Sequence, residues 1–261
     1  MAPPQRRIII STFLVLFLVL TACASGSSDD ATDQQSSASV PPPTAPAVEA
    51  GSVATGEVEI DGVTIQYVTT ASADFELGSE APLLLAFPPG PQGLDLTLSF
   101  VEGTYTSEAQ RLGWVVVSPA APDGTLFFQG SETLMPGFVD WVETWVTPEG
   151  GSPHVAGVSN GGISSFRYAA LNPDRVRSIV AFPGFPRSEA DRAALSEIVD
   201  VPIRLYVGGE DTAWIAPAQE AVVEFESLGG DIELTVFPGE GHIIDSTSDG
   251  VLIFEQLESF R

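Results

Sequence analysis

The feature that most constrains the fold of this chain is a regular succession of apolar strand runs and helical patterns. The strand runs are apolar throughout rather than alternating with polar residues, which is typical of strands buried on both faces of a sheet. The runs are Leu83–Phe87, Trp114–Ser118, His154–Val158, Ile179–Phe182, Ile203–Val207 and Ile232–Phe237. Ahead of them, Val58–Thr69 alternates around Asp61-Gly62, which predicts an antiparallel hairpin.

Segments with helical spacing lie between the strand runs. One apolar face is formed by Phe138, Trp141, Val142, Trp145 and Val146. Similar helical segments are Gly162–Leu171, Ala190–Ile198, Ala216–Leu228 and Val251–Phe260. This order predicts an α/β fold with a mostly parallel central sheet, helices on both faces, and ligands bound at the carboxyl ends of the strands. Between Pro183 and Pro202 there is room for only a minimal lid.

The N-terminus has the pattern of an export signal. Arg6 and Arg7 precede an apolar run from residue 8 to residue 20, and small residues follow it. The sequence Leu20-Thr21-Ala22-Cys23 resembles the bacterial lipobox, in which the cysteine is lipidated and becomes the mature N-terminus. We therefore expect residues 1–22 to be a lipoprotein signal peptide and Cys23 to be the lipidation site. The alternative is an ordinary signal peptide with an incidental cysteine.

The residues after Cys23 lack the apolar side chains needed for a core. Residues 23–53 are rich in Ser, Asp, Thr and Pro, which predicts a disordered tether, and residues 54–261 are expected to form the folded domain. A lipid anchor would hold this domain in the cell envelope, on the outer face of the bacterial cell membrane.

Composition excludes several classes of function. With 35 acidic and 10 basic residues the formal charge is −25, so nucleic acid and anionic membrane surfaces would be repelled. One cysteine excludes an intrachain disulfide and a multi-cysteine metal site, and two histidines leave little for a histidine metal cluster. All basic residues are arginine, so lysine chemistry is excluded. We expect neither a metal nor an organic cofactor.

The sequence Gly157-Val158-Ser159-Asn160-Gly161 matches G-x-S-x-G, the pattern of a nucleophile elbow. A predicted strand precedes the motif and a helical pattern follows it, as such an elbow requires. The glycines allow the strand and the helix to approach closely around a strained turn. The alternative is a Gly-Ser turn without chemistry.

A serine nucleophile needs a base and an acid. His154 begins the strand that ends before Ser159, so it lies about 16 Å away along that strand and cannot reach the serine. His242 follows the last strand run and is therefore the predicted base. Asp211 follows the fifth apolar run, at the same sheet edge, and is the predicted acid, with Glu210 as its rival.

The order Ser159, Asp211, His242 resembles that of the α/β-hydrolase family, and the resemblance extends over about residues 54–261. The chain looks most similar to secreted esterases and polyester depolymerases. This resemblance implies an oxyanion hole formed by the N–H of Asn160 and one from the loop after Leu83–Phe87. Prolines in that loop carry no N–H, which leaves Gly90 as the best second donor, with Gln92 or Phe87 behind it.

The predicted function is hydrolysis of small-molecule or polymeric carboxylic esters by a Ser-His-Asp acyl-enzyme mechanism. Phe185 and Trp214, each after a strand run, are candidates for lining a substrate pocket, although both residue types also serve in ordinary packing. Two alternatives are a peptidase of the same fold and a non-catalytic cell-surface binding lipoprotein. A peptidase usually needs an extra domain or a carboxylate pair to bind a free amine.

Overall fold

The structure, a computed structural model, describes residues 45–261. The predicted signal peptide, Cys23 and most of the predicted tether lie outside the described residues. The last residues assigned to the tether contact the domain. The backbone N–H of Ala47 donates to the Tyr67 hydroxyl (2.8 Å), and its carbonyl accepts from the Thr69 hydroxyl (2.6 Å). The packed chain therefore begins before residue 54, which corrects the boundary expected from composition.

The predicted strands form one main sheet. In the described part of the chain the strands are β1 (Val53–Ile60), β2 (Val63–Ala71), β3 (Glu80–Ala81), β4 (Leu83–Phe87), β5 (Val115–Pro119), β6 (Thr147–Pro148), β7 (His154–Gly157), β8 (Ile179–Ala181), β9 (Ile203–Gly208) and β10 (Ile232–Phe237). The main sheet has the order β1-β2-β5-β4-β7-β8-β9-β10, and β3 pairs with β6 separately. The β1–β2 and β2–β5 pairs are antiparallel, and all other pairs in the main sheet are parallel. The hairpin and the mostly parallel sheet are as predicted.

Helices cover both faces of this sheet. They are α1 (Leu94–Phe100), α2 (Thr106–Leu112), α3 (Met135–Glu143), α4 (Asn160–Leu171), α5 (Glu189–Ala193), α6 (Thr212–Ser227) and α7 (Val251–Ser259). A π-helical turn, Val101–Tyr105, joins α1 to α2, and a 3₁₀ turn, Ala194–Ile198, extends α5. The interval between Pro183 and Pro202 contains only the short helix α5 and this 3₁₀ turn, so the lid is minimal, as predicted.

Two apolar cores flank the sheet, and successive residues of each strand point into opposite cores. Leu85 of β4 packs in the core that contains Phe166 of α4 and Phe225 of α6. Its neighbour Leu84 packs in the core that contains Phe254 of α7. This double coverage explains why the central strands are apolar without alternation.

Three helical segments differ from the sequence-based prediction. The predicted apolar helix face included Trp145 and Val146, but α3 ends at Glu143, so both lie beyond the helix. The segment from α1 to α2 was not predicted, because Gly103 and several threonines lower its helix propensity. Helix α6 begins at Thr212 rather than at residue 216, and it contains Pro217. The proline removes the N–H that would bond the carbonyl of Ala213, but Ala213 is exposed, so water can satisfy that carbonyl.

The strand order places a topological switch between β4 and β7. From β4 the chain continues to β5 on one side, and β7 then pairs on the other side of β4. The loops after these strands leave the sheet in opposite directions, which opens a crevice at their carboxyl ends. The predicted elbow and the predicted oxyanion loop both begin at this crevice.

Candidate active site

Ser159 occupies a strained turn between β7 and α4. Its backbone has φ 56° and ψ −116°, and its N–H donates to the carbonyl of Pro183 (2.9 Å). The two flanking glycines are required by space. A Cβ on Gly157 would lie 2.2 Å from the carbonyl oxygen of Gly161, and a Cβ on Gly161 would lie 2.1 Å from that of Phe87. Ser159 is therefore held in a conformation that presents its hydroxyl above the end of β7.

Asp211 lies on the loop after β9, and His242 lies on the loop after β10. Two backbone hydrogen bonds join these loops: Gly209 N–H donates to Phe237 (2.7 Å), and Glu210 N–H donates to Glu240 (2.9 Å). Gly208 permits this approach, because a Cβ there would lie 2.0 Å from the carbonyl oxygen of Gly241. No sequence pattern indicated this role of Gly208.

The structure brings the three predicted residues into one hydrogen-bonded line. His242 Nδ1 is 2.6 Å from Asp211 Oδ2, and His242 Nε2 is 2.8 Å from Ser159 Oγ. Because a carboxylate only accepts, Nδ1 carries the proton toward Asp211 and Nε2 keeps a lone pair for the serine hydroxyl. The Asp211 side chain is only 11% exposed, whereas that of His242 is 38% exposed and accessible from the crevice.

The rival residues lie elsewhere. Glu210 is exposed, and it contributes its backbone N–H to the contact with the histidine loop rather than its carboxylate. His154 is buried at the opposite end of β7, with Nδ1 2.7 Å from the Ser178 hydroxyl. Burial, together with nearby arginines, lowers the pKa of His154 to about 3, so its imidazole is neutral. Its contacts are structural.

The predicted pocket residues form an aromatic wall beside the histidine. The rings of Phe185 and Trp214 are 5.0 Å apart at 64°, and the Trp214 ring is 4.9 Å from that of His242. Both aromatic residues are partly exposed. Trp214 therefore restricts rotation of the imidazole from one side.

The predicted oxyanion donors lie on neighbouring segments. The Asn160 side chain donates through Nδ2 to the carbonyl of Gly90 (2.8 Å), which ties the loop after β4 to the start of α4. Among the described residues, the backbone N–H groups of Gly90 and Asn160 donate to no acceptor. The N–H of Gln92 donates to Pro89 (3.1 Å), so Gln92 is not free to serve as the second donor.

Gln92 instead anchors the loop, a role that the sequence did not indicate. Its side chain is fully buried, and Nε2 donates to the Pro88 carbonyl (3.1 Å) and to the Ser164 hydroxyl (3.0 Å). Its Oε1 accepts from the N–H of Phe127 (3.0 Å). Ser164 in turn donates to the Asn160 carbonyl (2.9 Å). One amide therefore links the loop after β4, the loop after β5 and helix α4.

Residues 45–261 lack two kinds of feature. No cluster of three or more His, Cys, Asp or Glu side chains in this span is arranged to hold a metal ion. Nor does any helix there combine the length and apolar character needed to cross a membrane.

Comparisons with known proteins agree with this architecture. No protein-family model matches the chain. Esterase YpfH of Escherichia coli (strain K12) is 30% identical over 124 residues, which is 45% of this chain and 50% of that protein. The chain thus matches about half the length of this curated relative.

Solved structures with similar folds include esterases and peptidases. A ferulic acid esterase superposes with a TM-score of 0.62 at 15% identity, over 80% of this chain and 97% of the other. The acylaminoacyl peptidase of Pyrococcus horikoshii superposes with a TM-score of 0.57 at 12% identity, over 80% of this chain but only 40% of the peptidase. Together with the strand order and the switch between β4 and β7, these similarities show that the chain has the α/β-hydrolase fold.

Proposed function

We propose that this chain is a serine hydrolase that cleaves carboxylic esters through an acyl-enzyme intermediate. The observation that carries the proposal is the unbroken hydrogen-bonded line from Ser159 through His242 to Asp211, with distances of 2.8 and 2.6 Å. The strained backbone of Ser159 supports it, because such strain is typical of nucleophile elbows. The similarity to Esterase YpfH is consistent with the same chemistry.

In the first half of the reaction, Ser159 Oγ attacks the ester carbonyl while His242 Nε2 accepts its proton. Asp211 stabilises the resulting imidazolium through Nδ1–H. The N–H groups of Asn160 and Gly90 donate to the oxyanion. When the tetrahedral intermediate collapses, the C–O bond to the alcohol breaks, and the alcohol leaves with the proton from Nε2. A water molecule then repeats the sequence on the acyl-enzyme and releases the acid.

Esters are favoured over amides for two reasons. An alkoxide is a better leaving group than an amide anion, so less assistance to the leaving group is needed. The acylaminoacyl peptidase match covers 40% of that protein, so most of the peptidase has no counterpart in the superposed region. The minimal lid leaves the site open to water-soluble or polymeric esters.

The test is turnover of p-nitrophenyl acetate and of the matching p-nitroanilide by the folded protein. We expect ester hydrolysis to exceed anilide hydrolysis, and Ser159→Ala to lower kcat by at least about 10⁴-fold. Ser227→Ala is the matched control, because Ser227 is exposed on α6 and bonds only the Glu224 carbonyl of its own helix. Faster anilide hydrolysis would favour a peptidase, and an unaffected Ser159→Ala would contradict the proposal.

We also propose that the enzyme acts in the cell envelope, held by lipid on Cys23. The support is the lipobox-like sequence Leu20-Thr21-Ala22-Cys23 after a basic and apolar start. Growth with labelled palmitate should label the wild-type protein and not Cys23→Ser. The anchor would be contradicted if Cys23→Ser were labelled. It would also be contradicted if the wild-type protein were unlabelled and found in the soluble fraction.

A further inference from the structure

A small cavity lies on the face of the sheet covered by α1 and α7, and residues next in sequence to Ser159 and His242 line it. Its volume is about 80 Å³. Its apolar walls are Phe100, Val158, Phe182, Ile243 and Ile244. Three hydroxyl-bearing side chains, Thr104, Thr247 and Ser248, complete the lining.

Several lining residues are sequence neighbours of the proposed reacting groups. Val158 immediately precedes Ser159, and Ile243 immediately follows His242. Phe182 precedes Pro183, whose carbonyl accepts the N–H of Ser159. Three walls of the cavity are thus adjacent in sequence to the nucleophile, to the base, or to a group that holds the nucleophile in place.

The cavity is chemically suited to an alkyl group. The Thr247 hydroxyl donates to the Ile244 carbonyl (2.8 Å), and the Ser248 hydroxyl donates to Asp245 (2.7 Å), so both are already satisfied by backbone. The exception in the lining is Thr104, which is 6% exposed and whose hydroxyl makes no hydrogen bond to any described residue. Ile243 is 70% exposed, so this wall of the cavity is open to solvent.

Phe100 lines the cavity where helix α1 ends. Its ring stacks on Phe182 with centroids 6.2 Å apart, and it meets Tyr105 edge-on at 5.5 Å. Phe100 ends α1, and the π-helical turn that follows carries Thr104 and Tyr105. Such turns are frequent at functional sites. Truncation of Phe100 would extend the cavity along α1.

We infer that this cavity binds the apolar arm of a short-chain ester and that Phe100 sets the length of that arm. The inference rests on the proposed ester hydrolysis. At about 80 Å³ the cavity accommodates a short alkyl group and not a long chain. The arm belongs to either the acyl or the alcohol part of the ester, and the two are separated by experiment.

The test uses two series of esters with the wild-type protein and three variants. One series lengthens the acyl chain from two to eight carbons on a fixed p-nitrophenyl alcohol. The other lengthens the alcohol on a fixed acetyl group. The variants are Phe100→Ala, which enlarges the cavity, Ser248→Phe, which fills it from an exposed position, and Phe260→Ala. Phe260→Ala is the matched control, because Phe260 is a partly buried aromatic residue outside the cavity lining, with the Arg204 guanidinium over its ring.

In one of the two series, wild-type kcat/KM should rise about fourfold per methylene over the first few carbons and then stop rising. Phe100→Ala should continue the rise to longer chains, and Ser248→Phe should end it earlier than in the wild type. Phe260→Ala should follow the wild type. The responding series identifies which part of the ester enters the cavity.

Two results would overturn the inference in different ways. If esters are hydrolysed but neither Phe100→Ala nor Ser248→Phe changes the length preference in either series, the cavity does not bind the substrate. If the folded wild-type protein hydrolyses no ester, the proposed function fails and the inference fails with it. Thermal unfolding of each variant confirms that the protein remains folded.

Discussion

Replacement of Gly208 by alanine would separate His242 from Ser159 without changing either residue. The added Cβ would lie 2.0 Å from the Gly241 carbonyl oxygen and 2.4 Å from that of Glu240. Non-bonded contacts of a Cβ atom below 3.0 Å are essentially never seen, so the histidine loop must move by about 1 Å. Both clashing atoms belong to backbone, so no flexible side chain can relieve the contact.

The consequence follows from the distances in the triad. A shift of about 1 Å would lengthen the 2.8 Å contact between His242 Nε2 and Ser159 Oγ beyond hydrogen-bond range. Misplacement of this size typically costs about 10²-fold in rate. We therefore expect kcat/KM of Gly208→Ala for p-nitrophenyl acetate to fall by about two orders of magnitude, measured in steady-state turnover. Stability should fall by about 1–3 kcal/mol, measured by urea unfolding.

Gly241→Ala is the matched control for this prediction. It lies on the same loop, next to His242, but a Cβ there has no heavy atom within 4 Å. Its activity should remain within a few-fold of the wild type. Wild-type activity in Gly208→Ala, or an equal loss in Gly241→Ala, would refute the argument that close packing of the two loops positions the base.

Three further predictions concern buried polar groups. Burial lowers the pKa of His154 to about 3. Between pH 6.5 and 3 the unfolded chain therefore binds a proton at His154 and the folded chain does not, so the free energy of unfolding falls as the pH drops through this range. His154→Asn should make the slope shallower by up to about 1.4 kcal/mol per pH unit in urea unfolding at pH 6 to 4, and an unchanged slope would contradict a neutral His154. Gln92→Leu should lower turnover, and it should lower the free energy of unfolding by about 2–4 kcal/mol, because the Pro88 carbonyl and the Phe127 N–H lose their partner. Full turnover in this variant would contradict the role of Gln92 in anchoring the loop after β4. Arg167→Met should lower the free energy of unfolding in urea by about 3–5 kcal/mol, because the buried carboxylates of Glu132 and Asp191 lose their ion-pair partner. A loss below about 1 kcal/mol would contradict that pairing.

The positions of the triad residues were predictable because each depends on local sequence. Ser159, Asp211 and His242 each follow an apolar strand run, and parallel strands place their carboxyl ends at one edge of the sheet. Choosing Asp211 over Glu210 relied on resemblance to a family order. The structure gives a physical reason: Asp211 directs its carboxylate to His242, whereas Glu210 is exposed.

The support of the site was not predictable in the same way. Gln92 bonds Ser164 and Phe127, which lie on other elements, and no local pattern marks a glutamine with such partners. The cavity likewise joins Phe100 on α1 to Ile243 after β10, so it exists only once the chain is folded. Contacts between residues distant in sequence are invisible to arguments from periodicity.

The helical segment after β4 did carry a signal. Leu94, Leu98, Val101 and Tyr105 follow helical spacing, and all face apolar surroundings in the structure. Gly103 and the surrounding threonines masked the pattern, because they favour turns and strands over helices. The π-helical turn in the same segment also shifts the register of the residues after it.

The central claim is that Ser159 is a nucleophile activated by His242. The most direct measurement is mass spectrometry of the folded protein after reaction with a fluorophosphonate. We predict one adduct, on the peptide that contains Ser159, absent from Ser159→Ala and formed far more slowly in His242→Gln. Folded protein that acquires no adduct, or His242→Gln that reacts at the wild-type rate, would contradict the claim.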